Sequence, residues 1–519
     1  MKTYNIIKGI FAATVLSVVF SGCSEDAMDR INKDHGHTQS VAARFILTDV
    51  ITSTAFSNAG GDFNTYLSAY IEYEVGVDNQ LYYAETRESE PTSSSTFNNT
   101  WNGLYSTLKS ARIIINQCSE GGIDHGNYVT KGMAEVLAAY NCALIADMFG
   151  DAPCSQAALI DENGSPVYLT PKMDKQEEIY TQAMQYLDDA IADLQKEDLI
   201  DPEAQDLLYQ GDAEKWLKLA YGLKARYTMH LLKRSANKDA DMEKVLEYVN
   251  NSFESAEEQA AFDVYDANNI NPLYGFFVAR AGLGASESMR SKLAEYNDPR
   301  LSRAFITKQG TSTSGKEQAP GTADNAVYAP NGTPEQGTSK YGTSLFMYSI
   351  SAPTLLLSYH ELKFLEAEAL CRLERDAKSA LKDAVVAGLL NAENSFTISR
   401  KELGKTLINA ASSITEAEAE SYFDNTIEAK YTAEPLKTTM TQKYFALWGA
   451  SGEATESYND VRRMKGLGEN FIELKNPNSF PLRCPYGNSD TTTNAEVKAA
   501  YGNGQYVYSE NVWWAGGSR

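Results

Sequence analysis

Residues Val129–Gly150 read VTKGMAEVLAAYNCALIADMFG. Within them Met133, Val136, Leu137, Tyr140, Leu144 and Met148 recur at steps of three and four, the spacing that gathers side chains on one stripe of an α-helix. Gly150 and Pro153 mark the stop. The pattern returns in Asp174–Lys196 (Ile179, Ala183, Leu187, Ala190, Ile191, Leu194) and in Asp212–Arg234 (Trp216, Leu219, Ala220, Leu223, Tyr227, Leu231). Further helices are expected at Ser40–Phe56, Thr100–Cys118, Leu356–Leu373, Ala377–Leu390, Thr415–Tyr431 and Pro435–Leu447. The fold class is therefore mostly α, a right-handed scaffold of helical hairpins stacked like degenerate tetratricopeptide repeats, since no strict period of roughly 34 residues recurs. The second half is expected to be loop-rich and irregular, above all between about Ala260 and Pro353, with runs such as GTSTSGKEQAPGTADN and PNGTPEQGTSKYGTS. Long irregular insertions on a rigid scaffold are where binding usually resides.

At the N-terminus, Lys2 and Lys8 precede the apolar run Ile10–Phe20 (IFAATVLSVVF). Such a run falls short of the roughly 18–20 residues that span a bilayer, so it reads as a signal peptide. Phe20-Ser21-Gly22-Cys23 resembles a bacterial lipobox, with Phe20 standing where Leu is usual. The expected organisation is a signal peptide over 1–22, a lipidated Cys23 with a flexible tether to residue 38, and one binding domain over 39–519. An ordinary secreted protein with an incidental cysteine is the competing reading. Ser24-Glu25-Asp26 resembles the acidic signal that sends Bacteroidetes lipoproteins to the outer face of the outer membrane. His35 and His37 lie in the tether, where two ligands on a mobile segment make a poor metal site.

The chain has 519 residues, a net charge of −23 and a pI near 4.7. No basic stripe is present to displace counterions from phosphates, which argues against nucleic acid, and the same charge opposes adsorption on an anionic membrane. No segment after the signal peptide is expected to cross a bilayer. Besides Cys23 there are Cys118, Cys142, Cys154, Cys371 and Cys484, too scattered for a disulfide framework or a CxxC zinc site. They read as buried thiols, with a Cys142–Cys154 bridge conceivable. Tyrosine is abundant, with 31 Tyr against 19 Phe and 5 Trp, and an exposed ring with a polar tip suits sugars and peptides alike.

Catalytic motifs fail on inspection. Gly310–Lys316 (GTSTSGK) mimics a phosphate loop, but Glu317 follows where Ser or Thr must hold magnesium, and no apolar helix follows. GxSxG, HExxH and GxGxxG are absent. The five histidines offer little material for His-based catalysis, and Asp188-Asp189 point in different directions on a helix. No enzyme activity, cofactor or metal is expected.

Several segments, in order, resemble the SusD/RagB family of nutrient-binding outer-membrane lipoproteins. They are Trp101–Tyr105 running into Ala111–Asn116, Val136–Tyr140 followed by Met148–Pro153, Asn297–Arg300, Leu356–Ala369 (LLSYHELKFLEAEA), Gln442–Tyr444, Tyr458–Arg463 and Val512–Trp514. These read mostly as structure: Glu361, Glu366 and Glu368 on a helix packed on one face, Asp460, Arg462 and Arg463 bonding neighbouring helices, and Trp513-Trp514 docking the chain end. The resemblance implies four tetratricopeptide-like hairpins supporting an irregular half. It also implies a SusC-type TonB-dependent barrel as partner, over which the lipoprotein closes as a lid to deliver an oligosaccharide.

In glycan-binding relatives the site is an arc of aromatic rings with a few polar groups. Two loop-like stretches here offer that chemistry: Asp78–Tyr83 (DNQLYY), with Asp78, Asn79, Gln80, Tyr82 and Tyr83, and then Asn271–Phe277 (NPLYGFF), with Tyr274 and Phe276 and with Arg280 nearby. Trp101 and Tyr296 are secondary candidates, with core packing the competing role for Trp101. A peptide ligand in the same lid, or less readily a glycan-degrading enzyme, are the alternatives.

Overall fold

The computed structural model describes residues 41–519 except 162–163, 307–326, 405–406 and 408–409. The signal peptide, Cys23, the tether with His35 and His37, and Gly310–Lys316 all lie outside the described residues. In chain order the helices are α1 (Ala43–Thr52), α2 (Asp62–Tyr70), α3 (Asn79–Thr86), α4 (Phe97–Cys118), α5 (Tyr128–Phe149), α6 (Gln176–Asp193), α7 (Ala213–His230), α8 (Lys238–Asn250) and α9 (Pro272–Arg280). After them come α10 (Glu287–Glu295), α11 (Tyr359–Arg372), α12 (Lys378–Leu403), α13 (Glu416–Tyr422), α14 (Glu428–Ala433), α15 (Pro435–Ala446), α16 (Ala454–Leu467), α17 (Asn488–Thr493) and α18 (Ala495–Tyr501). The described strands form short antiparallel pairs: β1 (Glu74–Gly76) with β5 (Leu283–Ala285), β2 (Ala152–Pro153) with β3 (Met173–Asp174), β4 (Ala260–Phe262) with β8 (Thr354–Leu357), and β6 (Phe305–Ile306) with β7 (Thr343–Ser344).

The helical reading holds, and the role of α5 is corrected. All its residues except Tyr128 and Lys131 are buried, not one stripe of them. A helix apolar all round belongs at the centre of a domain, and α4, α6, α7 and α1 pack about this one. By length and apolarity α5 would also suffice to cross a bilayer, contrary to expectation, but its apolar window is wholly buried in the protein. Helix pairs stack outward from it: α4 with α5, α7 with α8, α11 with α12.

The stretch 260–353 is less irregular than expected, because it contains α9 and α10. Asn271 accepts hydrogen bonds from the backbone N–H groups of Leu273 and Tyr274, and Pro272 occupies the first helical turn. Ser286 likewise accepts from the N–H of Met289 to start α10. The expected helix Thr415–Tyr431 is broken into α13 and α14 by a wider turn at Phe423–Ile427. Ahead of α11, residues 354–357 form β8 instead of helix, and Ser358 caps α11 through the N–H of Glu361.

Helix α11 is also buried more completely than a one-face pattern implies. Glu361 and Glu368 are fully buried beside Leu362, Leu365 and Ala369. Glu361 is bound by Arg226 from α7, while Arg463 from α16 reaches both oxygens of Glu368 at 2.5 and 2.7 Å. Asp460 joins that network through Arg463 at 2.7 Å and Lys443 at 2.7 Å. Burying these charges is costly unless all are paired, so the network specifies which helices face each other. At the chain end Trp514 is buried, and its indole N–H donates to Asp147 at 2.9 Å. The described cysteines are free thiols; Cys371 is half-buried and the others are buried.

Candidate ligand cleft

The two candidate stretches lie far apart in sequence and side by side in space. β1 pairs with β5 in the register Gly76–Leu283, and the N–H of Val77 donates to the carbonyl of Gly282 at 2.9 Å. Gly76 lets the chain fold back: a Cβ there would lie 2.0 Å from the carbonyl oxygen of Leu81. Helix α3 can therefore lie directly over β1, beside the segment leading out of α9. Neither stretch is a loop, contrary to expectation. Residues 79–86 and 272–280 are both helical.

A third segment completes the site. After α1 the chain widens into a π-helical turn, Ser53–Ala59, in which the N–H of Gly60 donates to the carbonyl of Ala55 at 2.9 Å. That turn carries Phe56, Ser57 and Asn58 to the surface of a cavity of about 550 Å³. Gly61 then permits a tight entry into α2, because a Cβ there would lie 2.3 Å from the carbonyl oxygen of Ser57. The cavity is also lined by Asp62, Thr65, Asn99, Thr100 and Phe276.

Helix α2 divides this cavity from a smaller one. Tyr66 and Tyr70 face the second, of about 170 Å³, with Gln80, Tyr83, Glu90, Ser95, Thr96, Phe97 and Tyr508. The Thr96 hydroxyl donates to Asp62 across the divide, and the Tyr66 hydroxyl donates to Gln80 Oε1 at 2.9 Å. Burial pushes the Tyr66 phenol up to about 12, with Asp62 acting in the same direction and Arg280 and Thr96 opposing. Tyr66 thus stays a neutral donor at physiological pH. Asn58 and Ser95 line these cavities, and Asn58 Oδ1 and Ser95 Oγ are buried without a protein hydrogen-bond partner.

The rings lining the two cavities differ in exposure, and Tyr508 is half-buried. Tyr83 is 60% exposed and Phe56 40%, and Phe276 is half-buried with the Arg280 guanidinium 5.7 Å from its ring centre. Tyr82 meets Tyr83 edge-on, with ring centres 5.8 Å apart. Asp78 and Asn79 sit at the start of α3 and line neither cavity.

Three other expected ring contacts belong to the core. Trp101 has no exposed surface; its indole N–H donates to Asp490 at 2.6 Å and its face meets Phe149 and Tyr486. Tyr274 is buried and donates to Glu402 at 2.8 Å. Tyr296 is buried edge-on to Phe445. Helical spacing explains the split: Tyr274 and Phe276 are two positions apart on α9, so when one faces inward the other turns outward.

Sequence reasoning did not single out Phe56, Asp62, Tyr66 and Asn99, whereas Gln80 lies in the stretch it named. The Gly60-Gly61-Asp62 run was a usable signal, a tight turn delivering an acidic side chain. A further cavity of about 440 Å³ lies among α11, α12 and α13, lined by the rings of Tyr359 and His360 with Val386 and Leu390. Among the described residues no group of three or more His, Cys, Asp or Glu side chains is arranged to hold a metal ion.

Exposed aromatic faces beside convergent hydroxyl, amide and carboxylate groups can stack on and hydrogen-bond a polar ring-shaped ligand. Comparison with known proteins agrees in kind. Residues 36–486 match the SusD-like family described as starch-binding and associating with the outer membrane. A crystal structure of a SusD/RagB family protein from Bacteroides thetaiotaomicron is 69% identical, covers 92% of this chain and all of its own, and superposes with a TM-score of 0.88. A chitin-binding protein (21% identity, TM-score 0.68, 91% of this chain and 99% of its own) and a SusD homologue from Bacteroides fragilis (19%, 0.67, 92% and 100%) share the fold. No curated protein matches the chain. The chain belongs to the SusD-like family of starch-binding proteins that associate with the outer membrane.

Proposed function

We propose that this protein is a cell-surface lipoprotein that captures oligosaccharides in the cleft between α2, α3, α4 and α9. It would then pass them to a SusC-type TonB-dependent transporter, over which it acts as a lid. The observation carrying the reading is the pair of cavities on either side of α2, with Phe56 and Phe276 beside Asp62 and Asn99 in one and Tyr83 beside Gln80 in the other. Tyr83 and Phe276 are the ligand contacts retained from the sequence, with Tyr82 edge-on to Tyr83 and the Arg280 guanidinium beside the Phe276 ring. The work is binding and handover, without bond making. Family membership supports a nutrient-binding role at the outer membrane. The signal anatomy ending at Cys23 supplies the anchor, and a polar tether permits the hinged motion of a lid.

Titration of the purified protein with maltooligosaccharides and chito-oligosaccharides tests the site. One series should bind, and Tyr83→Ala and Phe276→Ala should each weaken it about tenfold, the worth of one stacked ring. Binding unchanged in both variants, or binding of peptides with no sugar bound, would reject the proposed arc. Extraction of the membrane in mild detergent should bring a TonB-dependent barrel along with the wild-type chain.

A further inference from the structure

Cys142 lies on α5 and Cys154 just past β2, and both side chains are fully buried. Their Sγ atoms stand 3.4 Å apart. A disulfide needs a separation of about 2.05 Å, so a closing movement of about 1.4 Å would join them. The pair is held firmly in register. Arg112 donates to the carbonyl of Cys154 at 2.9 Å and to that of Ala157, while Asp174 accepts the N–H groups of Cys154 and Ser155 at 2.8 and 2.6 Å. Between the two cysteines the chain makes the Gly150–Pro153 turn, with Gly150 at φ 73°.

We propose that Cys142 and Cys154 form a disulfide when the exported chain folds outside the cytoplasm. The compartment rests on the export reading above; the geometry does not. The oxidant is an external disulfide, carried by a protein or a small thiol. The Cys154 thiolate attacks it, forming a mixed disulfide and releasing one thiol. The Cys142 thiolate then attacks the Cys154 sulfur and expels the second thiol. Two cysteine thiols are oxidised, one external disulfide is reduced, and the two protons end on the released thiols. Since both sulfurs are buried in the folded chain, exchange must precede closure of the core. The bond would tie the turn after α5 to the helix itself.

The test is a mass measurement on the full chain, expressed with its own N-terminus, extracted in detergent and unfolded in an alkylating agent. Cleavage after Lys131 and Lys172 yields one peptide holding both cysteines. It should be unalkylated and about 2 Da lighter than the dithiol, for the two hydrogens lost. Cutting it at Asp147 should leave two pieces joined. A second arm refolds the full chain, made in a reducing cytoplasm, in a glutathione redox buffer, which needs no export. If both cysteines are alkylated in both arms, the pairing is wrong. If they are alkylated only in the extracted protein, and protease added to intact cells cannot reach that protein, the pairing stands and the export reading falls. Surface-exposed protein with both thiols alkylated overturns the proposal.

Discussion

Glu74 shows what burial does to a single side chain in this protein. Its Oε1 accepts hydrogen bonds from Ser344 at 2.7 Å and Trp448 at 3.1 Å, while Oε2 is buried without a partner. Burial outweighs those two bonds and lifts the carboxyl to about 8. The folded value lies above the unfolded one, so the folded state binds the proton more tightly. Stability from this group is full below roughly pH 4.5 and is lost as pH rises towards about 8, on the order of a few kcal/mol. Urea midpoints of the wild type should therefore fall across that window more steeply than those of Glu74→Gln, which cannot ionise. Parallel curves for the two proteins would contradict the assignment. The rings teach the same lesson at this scale. Tyr83 and Trp101 both looked suited to stacking, yet Tyr83 is mostly exposed and Trp101 has no free face. Residue type names the chemistry available, and only the surrounding packing decides whether solvent or a ligand can reach it.

Among elements, the turn chemistry that starts helices was readable and partly overlooked. Asn271-Pro272 and Ser286 are cap signals that predict α9 and α10, although the Gly-, Ser- and Asn-rich composition around them reads as loop. The π-helical turn at Ser53–Ala59 had no such signal, since a wide turn and an ordinary one use the same residues. Placement of α3 depends on a missing side chain, because Gly76 lies under the Leu81 carbonyl. Gly76→Ala should force α3 off β1, at a cost of about 1–3 kcal/mol typical of overpacking. It should also weaken oligosaccharide binding although Tyr83 itself is intact. A variant that loses stability by thermal melting but keeps wild-type affinity would show that α3 does not position the cleft.

For the whole molecule, the division between anchor and binding unit carries its own prediction. Ala43–Arg519 forms one compact unit that contains the complete cleft. Cys23→Ala should therefore bind oligosaccharide as the wild type does, while appearing in the soluble fraction instead of the membrane. Membrane retention of that variant would dismiss lipidation at Cys23. Loss of its ligand binding would tie the anchor to the site in a way the cleft does not suggest.

The helical class, the pairing of helices and the family were all present in the order of residues. Periodicity, caps and ordered segments such as LLSYHELKFLEAEA are local properties, and local properties survive in one dimension. The buried Glu361–Arg226 and Glu368–Arg463 pairs and the cleft depended on tertiary structure. Each joins residues distant along the chain, so no spacing rule announces it. The cleft shows this most clearly. Phe56, Asp62, Tyr83 and Phe276 come from four segments, brought together by a two-strand pairing and by two glycines that let backbones touch.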